Sequence, residues 1–418
     1  MNNKALIGIM WLFLQTVAVA GETSISQACD SPPTVISSVR LFDGETVIPR
    51  ATVVIQCSTI SAVVKDETSA ELPADAVTID GQGKTLLPGL IDSHVHTFRR
   101  EMLERPLDFG VTTVLDMGSV NKDFVKSIKR EDRDGVATDR ADLFSAILWA
   151  TAPGSHGTQF GEVPTLAGPE DAAAFVTQRV ADGADFIKII YDNFKMFDRP
   201  VPTLSKDTLF ALVAAAHEQG RKAVVHSRDV DAYTDVVEAG ADGLVHVMVD
   251  EVPGDQLIEA LKQNDMFVSP NLSLARHDGP RLIDDPDIGP MLTESEAENL
   301  QKFRALRREG GDQVEYDALM AFHRAGVTIL AGSDAPNGGT TEGASVHLEL
   351  ELLVEAGLTP VEALSTATSS PAKAFGLQDR GRIAEGLKAD LLLVDGRPDQ
   401  EITDTRRIVR IWKAGEMH

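Results

Sequence analysis

The sequence predicts an α/β fold, a (β/α)8 TIM barrel carrying a small β-sandwich domain built from both chain termini. Three observations predict it. Helical segments end in glycine with a short β-branched strand close behind at Gly110, Gly183, Gly220, Gly240 and Gly326; left-handed glycine caps followed by apolar strands imply parallel β/α units. Strand-like segments recur at both ends of the chain, and the ends of a domain tend to lie together. Side chains of metal-ligand type stand where several apolar runs stop, at the rim where such barrels place their chemistry.

Taken in order, the chain starts with Lys4 and an apolar run over 5–20, ending in Ala18-Val19-Ala20 before Gly21. That is the pattern of a cleaved export signal over 1–20, too short for a comfortable membrane span; an uncleaved anchor is the alternative. Export implies a secreted or periplasmic protein. The oxidising compartment favours a disulfide between Cys29 and Cys57. Segments 34–41 and 51–64 alternate around the turn Asp43-Gly44, and 77–80 adds a strand before Gly81-Gln82-Gly83. With the strand-like 389–394 and 408–412 they form the small domain, 32–86 plus 381–418. The barrel occupies 87–380. Its eight strands are expected at 86–96, 111–114, 141–149, 186–190, 223–226, 244–246, 266–269 and 327–330. Segment 278–311, rich in Pro, Asp and Glu and helical from Glu294 to Arg308, is a long insertion after the seventh strand. It reads as a lid or substrate wall, or as a solvated excursion.

Composition narrows the partners. A hydrophobic fraction of 43% over 418 residues suits a large folded core. The formal charge, 39 − 64 = −25, argues against nucleic acid and against an anionic lipid surface. The expected partner is a small-molecule or short-peptide substrate, with no membrane contact after signal cleavage; a homo-oligomer is left open.

The chemistry starts at Leu87-Pro88-Gly89-Leu90-Ile91-Asp92-Ser93-His94-Val95-His96. Residues two apart on a strand face the same way, so His94 and His96 project together as a ligand pair. Other strand ends supply Lys188, His226, His246 and Asp334. Lys188 lies inside Phe186-Ile187-Lys188-Ile189-Ile190, where a bare ammonium is costly to bury. Either it reacts with carbon dioxide, giving an anionic carbamate able to bridge two metal ions, or it is salt-bridged to Asp334 or Asp116. His156, in a Gly-rich loop after the third strand, is a candidate for orienting substrate or for a structural role. His217, His323 and His347 read as packing or structural residues, and His277 sits in the insertion.

These motifs, with Gly183-Ala184-Asp185 before the lysine strand, Gly332-Ser333-Asp334, and the tail Ala389-Asp390-Leu391-Leu392-Leu393-Val394, resemble the metal-dependent amidohydrolase superfamily. The branch they resemble is imidazolonepropionase-like and Xaa-Pro dipeptidase (prolidase-like), over about residues 34–415. The resemblance implies that His94, His96 and Asp334 hold the more buried metal and His226 and His246 the more exposed one, with carboxylated Lys188 bridging. Two divalent ions, zinc by similarity to the binuclear members, are therefore expected. Two departures stand out: His226 is followed by Ser227-Arg228-Asp229, and Ser155 precedes His156.

The expected reaction is hydrolysis of an amide or peptide C–N bond. A water between two cations ionises near neutral pH and attacks a polarised carbonyl, with Asp334 as base and then acid. Arg228, Arg99, Arg100 and Arg276 are candidates to bind a substrate carboxylate. Tyr191 is a candidate donor to the same group or to the oxyanion. Dipeptides or N-acyl amino acids are the expected substrates. Cyclic amides or lactones, or a non-catalytic periplasmic binding protein, are the competing readings; the last would show a missing ligand, and none is missing.

Overall fold

The two ends of the chain meet in one mixed sheet. The structure, a computed structural model, describes residues 31–65, 73–275, 282–302 and 311–418. The expected signal, Cys29, Arg276 and His277 lie outside the described residues; Cys57 is disulfide-bonded. β1 (Thr34–Phe42), β2 (Val47–Gln56) and β3 (Thr59–Lys65) form an antiparallel meander, and β4 (Val77–Asp80) and β5 (Lys84–Pro88) lie parallel to β1. Their alternation, reset by a bulge between Ile36 and Val39, sends Ile36, Val39, Leu41, Val53 and Ile60 into a small apolar core shared with Leu391, Leu393 and Trp412 from the other end of the chain.

The remaining strands are short, parallel and mostly buried along their length. β6 (Leu90–Val95), β7 (Val111–Asp116) and β8 (Asp142–Ser145) form one parallel arc. β9 (Ile187–Ile190), β10 (Ala223–His226), β11 (Gly243–Val245), β12 (Phe267–Ser269) and β13 (Thr328–Ile329) form the other. Parallel bridges cross both gaps between the arcs, Val95 to Ala335 and Ala150 to Ile189. The glycines expected to cap the preceding helices, Gly110, Gly183, Gly220, Gly240 and Gly326, have φ of 75°, 99°, 64°, 73° and 83°, the left-handed conformation that glycine adopts without steric cost.

One sequence expectation is corrected here. Residues 86–96 are two strands, not one. Leu86 to Pro88 belong to β5, and after Gly89 the chain enters the first parallel arc as β6. The chain changes sheets at Gly89 because it passes hard against β7: a Cβ there would lie 2.3 Å from Thr112 Oγ1.

The chain returns to the first sheet as β14 (Leu391–Asp395), antiparallel to β5, followed by β15 (Ile408–Lys413) and β16 (Glu416–Met417). An ionic knot joins this sheet to the base of β8. Lys413, fully buried, lies 2.9 Å from Asp142 and 3.0 Å from Asp390, and Arg380 and Lys388 also pair with Asp142. Opposed charges hold the Asp142 carboxyl below its ordinary range despite burial.

The insertion after β12 is anchored where it is described. The helix Glu294–Leu300 begins with a Thr293/Glu296 capping box. Its Glu296 pairs with Arg105 at 2.9 Å, and Asn299 donates to the carbonyls of Asn337 (2.9 Å) and Thr340 (2.7 Å) in the loop after β13. Among the described residues no helix is long and apolar enough to cross a membrane.

Candidate metal centre

The site is assembled at the C-terminal ends of the parallel strands. Asp92, fully buried on β6, accepts from the backbone N of His94 (3.1 Å) and from the backbone N (2.9 Å) and Oγ (2.5 Å) of Ser333. It thereby ties the first ligand strand to the last. The approach is close: a Cβ on Gly332 would lie 2.7 Å from Ser269 Oγ and 2.8 Å from His94 Cβ. The Asp334 carboxylate is thus delivered to the histidine pair, Oδ1 lying 3.2 Å from His94 Nε2 and 3.1 Å from His96 Nε2. The three side chains present ligand atoms all within 4.8 Å of one another.

Each imidazole is oriented from behind. His94 Nδ1 donates to Asn271 Oδ1 (3.1 Å) and His96 Nδ1 to the Gly118 carbonyl (2.8 Å). Both Nε2 lone pairs are then free to face a cation. His226 is held the other way round: its Nε2 lies 3.2 Å from Asp192 Oδ2, which leaves Nδ1 as the donor atom. His246 Nε2 is 3.9 Å from Asp334 Oδ2. The ring centroids step from His96 to His94 (5.3 Å), His246 (5.2 Å), His226 (4.4 Å) and His156 (5.1 Å). His246 and Asp334 both have left-handed backbones, φ 69° and 54°, costly for residues with a Cβ and concentrated at functional sites.

Lys188 completes the set. It is 2% exposed, and its Nζ has no hydrogen-bond partner among the described residues. Burial, reinforced by Arg228 and opposed by Asp334, pushes its ammonium down to about 7. The salt bridge weighed from sequence is not formed: Asp116 is taken by Ser145 Oγ (2.5 Å) and the Thr97 backbone N (2.9 Å), and Asp334 faces the histidines. Burial also lowers His94, His226 and His246 well below the ordinary imidazole value. At His96 burial is outweighed by the hydrogen bonds to Asp334 and Gly118, which raise it; a neutral amine at Lys188 and neutral imidazoles at the other three are the protonation states that carbamate formation and metal binding require. The donor set therefore fits divalent metal.

The ligands line a cavity of about 340 Å³, together with His156, Arg228, Phe98, Val120, Trp149 and Phe160. Tyr191 does not join them, and its expected substrate contact is corrected. Strand alternation turns Lys188 and Ile190 inward and Tyr191 outward, and its hydroxyl donates to Asp235 (2.7 Å). Arg100 is committed to Glu104, Glu131 and Asp139, and Arg99 lies beside Glu101 in solvent. Among the described residues, Arg228 is the candidate cation that faces the cavity. His347, bonded to Thr405 and the Phe109 carbonyl, His217, paired with Asp242, and His323, near Glu362, are structural. Two functional positions were missed from sequence, Asp192 and Asn271. Asp192 had a signal, a carboxylate just past the lysine strand; Asn271 had none.

Known proteins resemble this chain over most of its length. The profile of the amidohydrolase family matches residues 85–417. An uncharacterized Mycobacterium tuberculosis protein is 24% identical over 347 residues, 81% of this chain and 86% of the relative. An imidazolonepropionase of Deinococcus deserti is 28% identical over 214 residues, 49% of this chain and 43% of that enzyme. Among solved structures, a Xaa-Pro dipeptidase with bound methionine superposes with a TM-score of 0.73 at 23% identity, covering 92% of this chain and 99% of the other.

Proposed function

The chain belongs to the amidohydrolase family, hydrolases of carbon–nitrogen bonds, and on that premise we propose that it cleaves the amide of a small substrate bearing a free carboxylate. The proposed substrates are N-acyl amino acids or dipeptides, and the scaffold is a closed (β/α)8 barrel. His94, His96 and Asp334 would hold one divalent cation and His226 and His246 a second, with Lys188, carboxylated, between them; zinc suits the imidazole-rich set. Bound there, such cations acidify water and polarise a carbonyl. Asp334 takes a proton from water and returns it to the departing nitrogen. Asp192 and Asn271 keep two imidazoles in the required tautomers. Arg228 pairs with the substrate carboxylate. Export is part of the proposal, supported by the segment from Lys4 to Ala20 and by a disulfide-bonded Cys57.

The observation that carries the reading is that His94 and His96, from one strand, aim their Nε2 atoms at the same oxygen of Asp334, from the last. Replacing Asp334 with Asn keeps a ligand oxygen and removes the base. The expected result is a fall in kcat of about 10²–10⁴, measured against metal-matched wild type. Turnover at the wild-type rate would overturn the assignment.

A further inference from the structure

Arg228 is 8% exposed and faces the cavity. Its guanidinium carbon stands 5.6 Å from the ring centroids of both Phe194 and Phe197, its Nε has no hydrogen-bond partner, and it forms no ion pair among the described residues. A buried cation left without an anion is costly. The site holds its rings and its charge in place without an anion among the described residues, and a ligand carboxylate would supply one. Phe194 also stacks on His226, at 6.1 Å, so this anchor sits at the His226 end of the ligand row.

The other end has a different character. Trp149 stands edge-on to His96 at 6.0 Å and to Phe160 at 6.1 Å. Phe160 and Val120 line the cavity yet are 48% and 41% exposed, apolar side chains left in water at a cavity rim. Among the described lining residues the one carboxylate is Asp334, already committed to His94 and His96. A dipeptide must place a free ammonium on this acyl side, where no anion waits for it. An uncharged aromatic acyl group meets Trp149, Phe160 and Val120 instead. The cavity volume, about 340 Å³, is at the small end of ligand sites.

We propose that the substrates are N-acyl amino acids with an aromatic or similarly apolar acyl group, seated with the carboxylate on Arg228 and the acyl group against Trp149 and Phe160, and that dipeptides with a free amino terminus are disfavoured. This rests on the amide-hydrolase reading above and chooses between its two substrate classes. In the reaction the oxygen of water bonds to the acyl carbon and the C–N bond breaks. The proton taken up by Asp334 passes to the nitrogen, leaving an arylalkanoic acid and a free amino acid.

The test compares four substrates on the zinc-loaded full chain: N-phenylacetyl-L-alanine, L-phenylalanyl-L-alanine, N-acetyl-L-alanine and N-phenylacetyl-L-alaninamide. The first is expected to exceed each of the others in kcat/KM by about tenfold or more, the scale of one mismatched pocket contact. Arg228→Met should erase the preference for N-phenylacetyl-L-alanine over its amide. Phe160→Ala, at an exposed position, should shrink its advantage over N-acetyl-L-alanine. Equal or better hydrolysis of L-phenylalanyl-L-alanine overturns this inference while amide hydrolysis stands. Equal hydrolysis of the acetyl compound overturns its aromatic part. Hydrolysis of none of the four overturns the amide-hydrolase reading as well.

Discussion

His94 presents Nε2 to the centre because Asn271 holds its other ring nitrogen. Asn271 adopts a left-handed backbone (φ 56°) and does three things with one amide. Its Oδ1 accepts from His94 Nδ1 and, at 3.2 Å, from the backbone N of His246, while its Nδ2 donates to the Gly332 carbonyl at 2.8 Å. Behind it, the buried Glu349 accepts from the backbone N atoms of Leu272 (3.0 Å) and Ser273 (2.6 Å); burial pushes its carboxyl up to about 7. Asn271→Ala removes the lock on His94 and the strut to the last strand. Zinc affinity, measured by competition with a chelator, should fall about 10- to 100-fold. Unchanged affinity would show that strand packing alone orients His94. Little of this could be read from the sequence, since Asn271 follows a proline in an ordinary loop and its partners lie 177 and 61 residues away.

Single strands explain which residues reach the cavity and which do not. On β9 the two-residue period puts Lys188 inside and Tyr191 outside, so proximity in sequence to a ligand was a poor guide and alternation was the right one. The same period made His94 and His96 legible as a pair. The division of 86–96 between β5 and β6 was half legible: Pro88-Gly89 announced a bend, but the change of sheet depends on the crowding of Gly89 against Thr112. Gly332 plays the matching part just past β13. Gly332→Ala forces a methyl group against Ser269 and His94, which should cost about 1–3 kcal/mol in denaturant unfolding, the usual scale of overpacking, and weaken metal binding with it. Wild-type stability and metal affinity together would show that the approach is looser than the structure has it.

At the scale of the molecule, the terminal sheet and the parallel arcs are joined beneath the site. β14 and β15 return to the first sheet, and Lys413, Lys388 and Arg380 converge on Asp142 at the foot of β8, below the rim where the ligands gather. The candidate side chains that meet at the cavity were legible because a polar residue where an apolar run stops is conspicuous in one dimension. The aromatic wall of Trp149 and Phe160 was not, because apolar residues in a loop look like ordinary packing until a cavity is seen beside them. The isolation of Arg228 likewise exists only in three dimensions, as a buried guanidinium with no ion pair among the described residues.

The central claim is a two-cation centre that needs Lys188, and metal content measures it most directly. Zinc per chain should be about two in wild type dialysed with bicarbonate, the stoichiometry of a two-metal site. In Lys188→Met it should fall toward one, with His94, His96 and Asp334 keeping their ion. Two tightly held zinc ions in Lys188→Met, or one in the wild type, would contradict the account.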